Sequence, residues 1–439
     1  MPIDVLGVSG LRRLRKRSWL LGLLVVVGIC GSLWTLIHPN WRPWRNMALD
    51  TAIPSANAAA APADLALDAD IDPESGLARI LSSLEENRLD NALAQTEALL
   101  QRYPNYRLAH LIKGDLLLAR AHPLPGFGAA SDAPVEKIAD LRSEAIARLQ
   151  GYQQKPPAGA IPRYLLQMSQ AQKYAIVIDT RKSRLYLYKN DAERPRLVSD
   201  YYVSQGKSGA DKKSEGDRRT PLGVYHITSY IPPEKLADMY GNGAYPINYP
   251  NEWDKRQGRS GYGIWLHGTP SDTYSRPPQA SDGCVVLANP DFDKLGKNVQ
   301  IGQTPVIISH GVEWLTAADW QRERAELASQ VEQWRADWES LDTERYLAHY
   351  SPRFKSRDQD FSRFAEQKRQ VNQGKNWIKI KLRQLSMFRN PALPGMEEEI
   401  AVVTFEQDYA SNNLVNSMRK RQYWLRENGQ WKILYEGNA

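Results

Sequence analysis

Residues 261–295 read GYGIWLHGTPSDTYSRPPQASDGCVVLANPDFDKL. The apolar run before His267 predicts a strand that ends at this histidine, and the Gly, Pro, Ser and Asp residues after it predict an exposed loop. The loop closes on the tetrapeptide SDGC, and the apolar residues that follow favour a helix that begins at Cys284. The pattern therefore predicts an imidazole at a strand end and a thiol at a helix start.

These residue types suit nucleophilic acyl transfer. A thiol at a helix N-terminus is stabilised as thiolate by unpaired backbone N–H groups and by the helix dipole. Gly283 permits a tight turn whose N–H groups can hold an oxyanion. An imidazole beside the thiol can take its proton and later return it to a leaving amine. We therefore interpret Cys284 as the nucleophile and His267 as its base.

Two other interpretations use the same residues. A structural role would make His267 and Cys284 core side chains, but the Gly, Ser, Asp and Pro residues around them favour an exposed loop. A metal site could use His267, Asp282 and Cys284 as ligands, but zinc sites normally have a second Cys or His at close spacing. The sequence therefore favours catalysis without a metal or a cofactor.

The motif resembles the signature of YkuD-type L,D-transpeptidases. In that family a His-Gly pair is followed by Ser-x-Gly-Cys, as His267-Gly268 is followed by Ser281-x-Gly283-Cys284 here, with the cysteine seventeen positions after the histidine. The segments TPLGVY at 220–225 and GQTPV at 302–306 are also similar to family elements. The resemblance covers residues 173–310.

The resemblance implies a β-sandwich-like catalytic domain that attacks the bond between diaminopimelate and the terminal D-Ala of a peptidoglycan tetrapeptide stem. The thioester on Cys284 would then pass to an amine, either on another stem or on the lysine of an outer-membrane lipoprotein. Carried over by position, Gly268, Ser281, Asp282 and Gly283 support the imidazole, the turn and the oxyanion. Tyr262, shortly before His267, could line the substrate cleft or simply pack within the strand.

Two positions differ from the usual family pattern. Asp282 stands where most members have His, and Val286 stands where they have Arg. The variant is similar to the YafK-like branch, some of whose members hydrolyse the link between peptidoglycan and lipoprotein. The acceptor, amine or water, therefore stays open, and so does a scaffold that binds peptidoglycan without catalysis.

The N-terminus predicts a membrane anchor. Residues 1–18 carry a basic block, and residues 19–37 contain no charged side chain and are long enough to cross a bilayer as a helix. The excess of Arg and Lys before this span predicts a cytoplasmic N-terminus and a periplasmic remainder at the inner membrane of a Gram-negative cell. A cleaved signal peptide ending near the Ala-Asn-Ala at 56–58 is the alternative.

Composition argues against a nucleic-acid partner. The chain has 439 residues and a formal net charge of +7, but five of those charges lie in residues 12–17. The rest of the chain is therefore close to neutral, with both signs interspersed. Of the two cysteines, Cys30 lies in the predicted span, so Cys284 is the one cysteine of the predicted periplasmic part. A thiol kept in an oxidising compartment favours a reactive role.

The predicted fold class is multidomain α+β. A flexible linker at 38–72 precedes a small helical tetratricopeptide-like region at 73–155 and the mostly β domain at 173–310. Residues 316–439 predict helices followed by four strands, which resemble the α+β cone of nuclear-transport-factor-2-like (NTF2-like) domains. The helical region should stack on its own segment at 135–150 or on a partner. We expect deletion from Thr316 onward to leave the chemistry intact.

Overall fold

The computed structural model describes residues 72–439 apart from 125, 130–133, 192–193, 357–358, 394 and 396–397. The predicted basic segment, the predicted membrane helix and nearly all of the predicted linker lie outside these residues. No helix within the described part is long and apolar enough to cross a membrane.

Four helices form the first region. They are α1 (Pro73–Glu85), α2 (Leu89–Arg102), α3 (Arg107–Ala119) and α4 (Val135–Gln153). Asp72 caps α1, since its carboxylate accepts a 3.1 Å hydrogen bond from the backbone N–H of Ser75. Their apolar faces share one buried cluster, and α4 packs against α1 and α3. The helical region therefore stacks on its own fourth helix, as its amphipathic pattern requires.

The middle region is built mostly from short strands. They are β1 (Ile161–Pro162), β2 (Leu165–Gln167), β3 (Tyr174–Asp179), β4 (Arg184–Asp191), β5 (Arg194–Tyr202), β6 (Gln205–Gly206), β7 (Gly223–His226), β8 (Ala244–Pro246), β9 (Trp265–His267), β10 (Gln279–Ser281), β11 (Val285–Val286), β12 (Pro305–Ser309) and β13 (Trp314–Leu315). Two short helices, α5 (Glu252–Arg256) and α6 (Asn289–Gly296), join them.

Two sheets face each other across one core. The larger has the order β5-β4-β3-β12-β7, with β12 parallel to β3, and the smaller has the order β11-β9-β8. Ile176 and Ile178 of the first sheet share a buried cluster with Leu266 and Val285 of the second. The long apolar runs of β3 and β12 are buried on both faces, as expected for central strands. The SDGC motif runs from the end of β10 to the residue before β11 of the smaller sheet.

The C-terminal region has three helices and a strongly curved meander. The elements are α7 (Ala317–Glu339), α8 (Thr343–Leu347), α9 (Phe361–Gln373), β14 (Ile378–Arg389), β15 (Ile400–Ser411), β16 (Leu414–Glu427) and β17 (Gln430–Asn438). Asn428 and Gly429 have φ of +50° and +78°, which gives the predicted tight hairpin between β16 and β17. The helices pack on one face of the sheet around Trp334 and Trp424.

The C-terminal sheet includes a strand from far upstream. Its order is β17-β16-β15-β14-β2, so β2 pairs with β14 across more than two hundred residues of chain. Trp320 donates a 2.7 Å hydrogen bond from its indole N–H to the carbonyl of Leu165 in β2. The segment 156–172 lies between the helical region and the mostly β domain in sequence, but its strand β2 belongs to the C-terminal sheet.

Candidate active site

Strand pairing places the predicted nucleophile and base together. Strands β9 and β11 are parallel, with Val285 opposite Leu266 and Val286 opposite His267. Cys284 directly precedes β11, so the alternation of side chains puts it on the face of His267, two positions along the strand. The sheet therefore presents the thiol and the imidazole on one face.

The predicted helix at Cys284 is wrong. The two residues after the cysteine are β-branched valines that pair with β9, and the next helix, α6, begins only at Asn289. The thiol therefore has no helix dipole to stabilise its anion. Burial raises the pKa of Cys284 to about 11, although the backbone of Trp265 opposes this effect. In the resting site Cys284 is a neutral thiol, with Sγ 3.4 Å from the carbonyl oxygen of Gly263.

His267 is held in the orientation of a base. Its Nδ1 lies 2.7 Å from the carbonyl oxygen of Gly268, which can only accept, so Nδ1 carries the proton and Nε2 is left as an acceptor. The side chain is 2% exposed, and burial lowers its pKa to about 4. The ring of Tyr240 meets the imidazole edge-on at 5.1 Å. His267 is therefore neutral at neutral pH, with Nε2 unprotonated.

Gly268 is required by a close approach. A Cβ at this position would overlap the side-chain oxygen of Asn289, which also accepts from the N–H of Thr269 at 3.2 Å. The N–H of Gly268 donates to the carbonyl of Tyr240 at 3.0 Å. The residue after the histidine therefore joins the strand end to α6 and to the turn that carries Tyr240.

The turn before the cysteine is fixed by its own hydroxyl groups. The Oγ of Ser281 donates to the carbonyl of Cys284 at 2.6 Å and accepts from the N–H of Gly283 at 3.1 Å. Gly283 has a φ of +126°, and a Cβ there would lie 2.8 Å from the carbonyl oxygen of Arg219. Thr220 donates to the carbonyl of Gly283 at 3.0 Å. The TPLGVY segment therefore supports the turn through its first residue.

Two of the predicted motif residues lie at the surface. Asp282 is exposed and its carboxylate lies 3.4 Å from the ammonium of Lys207. Tyr262 is 75% exposed and lies outside β9, so the interpretation of a tyrosine packed within the strand is wrong. Its neighbour Gly263 contacts the thiol, and a role in substrate binding stays a prediction.

The basic loop before Thr220 is a structural element. Lys212 is 3% exposed and lies 2.7 Å from Asp217. Although burial raises the pKa of Asp217, hydrogen bonds from Lys212 and from three backbone N–H groups lower it to about 2. Arg259 holds the same loop through Asp211 at 2.7 Å. Lys212 is therefore already neutralised and is not available to a ligand.

Among the residues that the structure describes, no group of three His, Cys, Asp or Glu side chains is arranged to hold a metal ion. The alternative in which His267, Asp282 and Cys284 bind a metal together therefore has no geometric support.

The helical region packs against the loop between β9 and β10. The ring of Tyr274 lies between those of Tyr103 at 4.9 Å and Tyr106 at 4.6 Å. Asn105 donates from its side chain to the carbonyl of Ser271 at 3.1 Å and accepts from the N–H of Tyr274 at 3.2 Å. A polar cleft of about 160 Å³ lies along this contact. The loop that leaves the catalytic histidine is therefore packed on α2 and α3.

A buried charge cluster fixes the end of the same loop. Ser275 hydrogen-bonds to the carboxylate of Glu144 in α4, which also accepts from Arg148 at 2.8 Å. The guanidinium of Arg148 lies 4.0 Å above the ring of Tyr202, and the hydroxyl of Tyr202 donates to the carbonyl of Arg276 at 2.9 Å. These contacts join residues far apart in sequence, so no local pattern could have predicted them.

Comparison with known families agrees with this geometry. Residues 173–308 match the model of the YkuD family, the L,D-transpeptidase catalytic domain. The chain carries a YkuD-type domain. Residues 326–437 match the model of the Cds6 C-terminal NTF2-like domain. Both resemblances drawn from the sequence are confirmed, whereas the YafK-like branch stays a prediction.

Two solved structures resemble most of the described chain. Bd1075 of Bdellovibrio bacteriovorus is 29% identical with a TM-score of 0.56, over 64% of this chain and 98% of that one. Pgp2 of Campylobacter jejuni, described as a helical cell shape determining protein, is 27% identical with a TM-score of 0.54, over 63% of this chain and 95% of that one. No curated protein matches the sequence. The match to the L,D-transpeptidase catalytic domain and the likeness to Pgp2 together support a peptidoglycan-related function.

Proposed function

We propose that this protein is a cysteine acyl-transferase that acts on peptidoglycan stem peptides through a thioester on Cys284. The observation that carries the proposal is the pairing of β9 with β11, which puts the thiol on the face of an imidazole whose Nδ1 is anchored to a carbonyl. The match of residues 173–308 to the L,D-transpeptidase catalytic domain supports the choice of substrate.

Acylation starts from the neutral pair. As Sγ of Cys284 attacks the carbonyl carbon between diaminopimelate and D-Ala, Nε2 of His267 takes the thiol proton. The negative charge moves to the carbonyl oxygen, and the backbone N–H of Cys284, which donates no hydrogen bond to the other described residues, is available to hold it. The C–N bond then breaks, His267 returns the proton to the leaving amine, and D-Ala departs.

Resolution of the thioester repeats the proton transfers in reverse. An incoming nucleophile gives its proton to His267, attacks the thioester carbon and releases the thiol of Cys284, which recovers the proton. An amine of a second stem gives a crosslink, a lipoprotein lysine gives an attached protein, and water gives hydrolysis. Hydrolysis in the manner of the YafK-like branch is the second candidate, because Asp282 and Val286 replace the family's usual His and Arg as they do in that branch; these residues do not decide between water and an amine.

The proposed setting is the periplasm, with one N-terminal helix at residues 19–37 holding the protein to the inner membrane. The proposed role is cell-wall biogenesis that affects cell shape, which the likeness to the cell-shape protein Pgp2 supports.

The test is mass spectrometry of tetrapeptide muropeptides incubated with the wild-type protein, with Cys284→Ala and with His267→Ala. A matched control is His310→Ala, because His310 is an exposed histidine at the end of β12. We expect loss of D-Ala with the wild type and the control, and less than about a thousandth of that rate with the other two.

Products identify the acceptor. Crosslinked dimers or exchange with an added D-amino acid would establish transfer to amines, and free tripeptides alone would establish hydrolysis. Lipoprotein-linked stems added to a parallel reaction test the YafK-like alternative. Turnover that survives Cys284→Ala would refute the thioester, and no change with any protein would favour the scaffold.

A further inference from the structure

Arg276 is the residue of the active-site loop that the mechanism leaves unused. It lies between β9 and β10, and its Nη2 donates a hydrogen bond to the carbonyl of Met239 at 3.4 Å. Among the described residues no carboxylate hydrogen-bonds to its guanidinium. Its charged neighbours at longer range are the thiol of Cys284 and the carboxylate of Asp282. The guanidinium therefore lies beside the turn whose Tyr240 ring contacts His267, and it has no bonded carboxylate there.

The other cations near the thiol are already paired. Lys212 also acts electrostatically on Cys284, but its ammonium lies 2.7 Å from Asp217. Lys207 lies 3.4 Å from Asp282. Burial lowers the pKa of the Arg276 guanidinium, since no bonded carboxylate offsets the desolvation. A partly buried, uncompensated guanidinium is costly to maintain and attractive to an anion.

The structure holds Arg276 firmly in place. Its carbonyl accepts the hydroxyl of Tyr202 at 2.9 Å, the preceding Ser275 is bonded to Glu144, and Tyr274 is packed between two tyrosines of the helical region. Because the backbone of Arg276 is held by these contacts, binding of a ligand has to order only its side chain.

We propose that Arg276 binds the free carboxylate of the residue that leaves during acylation, the C-terminal D-amino acid of the stem. The inference rests on the proposed function and names the substrate feature that its site selects. In a tetrapeptide stem the scissile carbonyl is followed by one residue only, so the terminal carboxylate lies about one residue length, roughly 4 Å, from the carbon that Sγ attacks. A planar guanidinium matches a carboxylate through two parallel hydrogen bonds.

The proposal has a consequence for substrate choice. A stem with one further residue places an amide where the carboxylate would lie, and a neutral amide cannot make the charge-assisted pair. The helical region then contributes to the selectivity for tetrapeptide stems, because its contacts position the loop that carries Arg276. Arg276 is accordingly a binding residue for the leaving group.

The test compares a tetrapeptide stem with its C-terminal carboxamide, using the wild type, Arg276→Gln and Arg276→Lys. The control is Lys207→Gln, which removes one positive charge beside the same motif from a half-exposed side chain. We expect the wild type to lose roughly 10- to 100-fold in kcat/KM on the carboxamide, as one charge-assisted pair would give. Arg276→Gln should lose the same factor on the acid and treat both substrates alike, Arg276→Lys should lie between, and Lys207→Gln should keep the wild-type ratio.

Three results would overturn the proposal. The first is Arg276→Gln with the wild-type preference for the acid. The second is a loss that follows amidation of the diaminopimelate side-chain carboxyl instead of the terminal one, which would assign Arg276 to that carboxylate. The third is an unchanged preference together with a shifted pH profile of Cys284 alkylation, which would make Arg276 act on the thiol alone.

A binding measurement separates this inference from the proposed function. Calorimetry of the acid and the carboxamide against Cys284→Ala, with and without Arg276→Gln, reports the carboxylate pair without any turnover. Preference for the acid that requires Arg276 supports the inference even where the wild type cleaves nothing, and equal binding of both peptides to Cys284→Ala contradicts it.

Discussion

The helical region and the C-terminal region both pack on the YkuD-type domain, but they contact different parts of it. The helical region holds the loop between β9 and β10, where Tyr274 lies between two of its tyrosines. The C-terminal region holds β2 and α5, where Trp253 stacks on Tyr423 at 5.4 Å. Both regions stabilise the domain, but the loop that leaves His267 is packed on the helical region, whereas the C-terminal region reaches the core beneath β9 and β11 through Leu393.

An ion cluster strengthens the C-terminal contact. Arg163, between β1 and β2, lies 3.0 Å from Glu313, 3.0 Å from Glu323 and 3.1 Å from Glu399. Arg389 of β14 reaches the last two of these carboxylates at 2.9 Å and 3.2 Å. One cluster therefore ties the upstream segment, α7 and the C-terminal sheet together, and removing either side leaves uncompensated charges.

Truncation after Leu315 should produce the largest effect. It removes β14, the partner of β2. It also exposes Trp253 to solvent, because the other buried residues of its apolar cluster lie in the C-terminal sheet. The sequence alone predicts that deletion from Thr316 leaves the chemistry intact. From these contacts we expect instead that the truncated protein loses its cooperative fold. Thermal unfolding followed by circular dichroism should show no single transition for the truncated protein.

A truncated protein that unfolds cooperatively near the wild-type Tm would contradict this expectation. It would show that β2 and α5 are ordered by the YkuD-type domain alone.

Single tyrosine and tryptophan truncations should separate the two contacts. Tyr274→Ala and Trp253→Ala each remove a large buried ring, 7% and 5% exposed, and each should lower the free energy of unfolding by about 3–5 kcal/mol. Tyr274→Ala should also lower kcat/KM, because it loosens the loop that carries Arg276, whereas Trp253→Ala should leave kcat/KM within about threefold of the wild type.

Tyr274→Phe is the matched control, since it keeps the ring between Tyr103 and Tyr106. It should retain most of the stability and activity. Equal losses of kcat/KM for Tyr274→Ala and Trp253→Ala, measured well below their Tm, would show that the helical region is no closer to the chemistry than the C-terminal region.

Local patterns in the sequence were enough to predict most elements. The apolar runs of β3 and β12, the Asn428-Gly429 hairpin and the alternation along β14 to β17 depend on neighbours within a few residues. The His267 and Cys284 pair was predictable because the motif is short. The helix predicted at Cys284 failed because two valines fit a strand pair as well as an apolar helix start, and only β9 decides between them.

Long-range contacts could not be predicted in the same way. The pairing of β2 with β14 depends on a three-residue strand, too short to have a period. Arg276 and Tyr274 stand in a loop of ordinary composition, and their importance comes from α2, α3 and α4, more than a hundred residues upstream. Sequence reasoning therefore identified the chemistry and missed the residues that position it.

The smallest expected effect is a difference in acid sensitivity between the two contacts. His226 lies where the C-terminal region docks, and burial, followed by Arg421 and Arg419, lowers its pKa to about 4. His267 lies at the site, and burial lowers its pKa to the same value. Each histidine has an ordinary pKa near 6.5, so it binds a proton on unfolding throughout the interval between these values.

The stability that each histidine contributes is therefore complete above about pH 6.5 and is lost as the pH falls towards 4, by at most about 3 kcal/mol each. His226→Gln and His267→Gln should each lose less stability than the wild type between pH 6.5 and 4, in urea unfolding at fixed ionic strength. Only His267→Gln should also abolish turnover. Because buried acids such as Asp254 and Asp291, whose pKa burial raises to about 6, titrate in the same interval, the difference between variant and wild type is the informative quantity. If His226→Gln loses as much stability between pH 6.5 and 4 as the wild type, the ring of His226 is already hydrated in the folded protein. The two contacts would then differ in their chemistry as well as in their position.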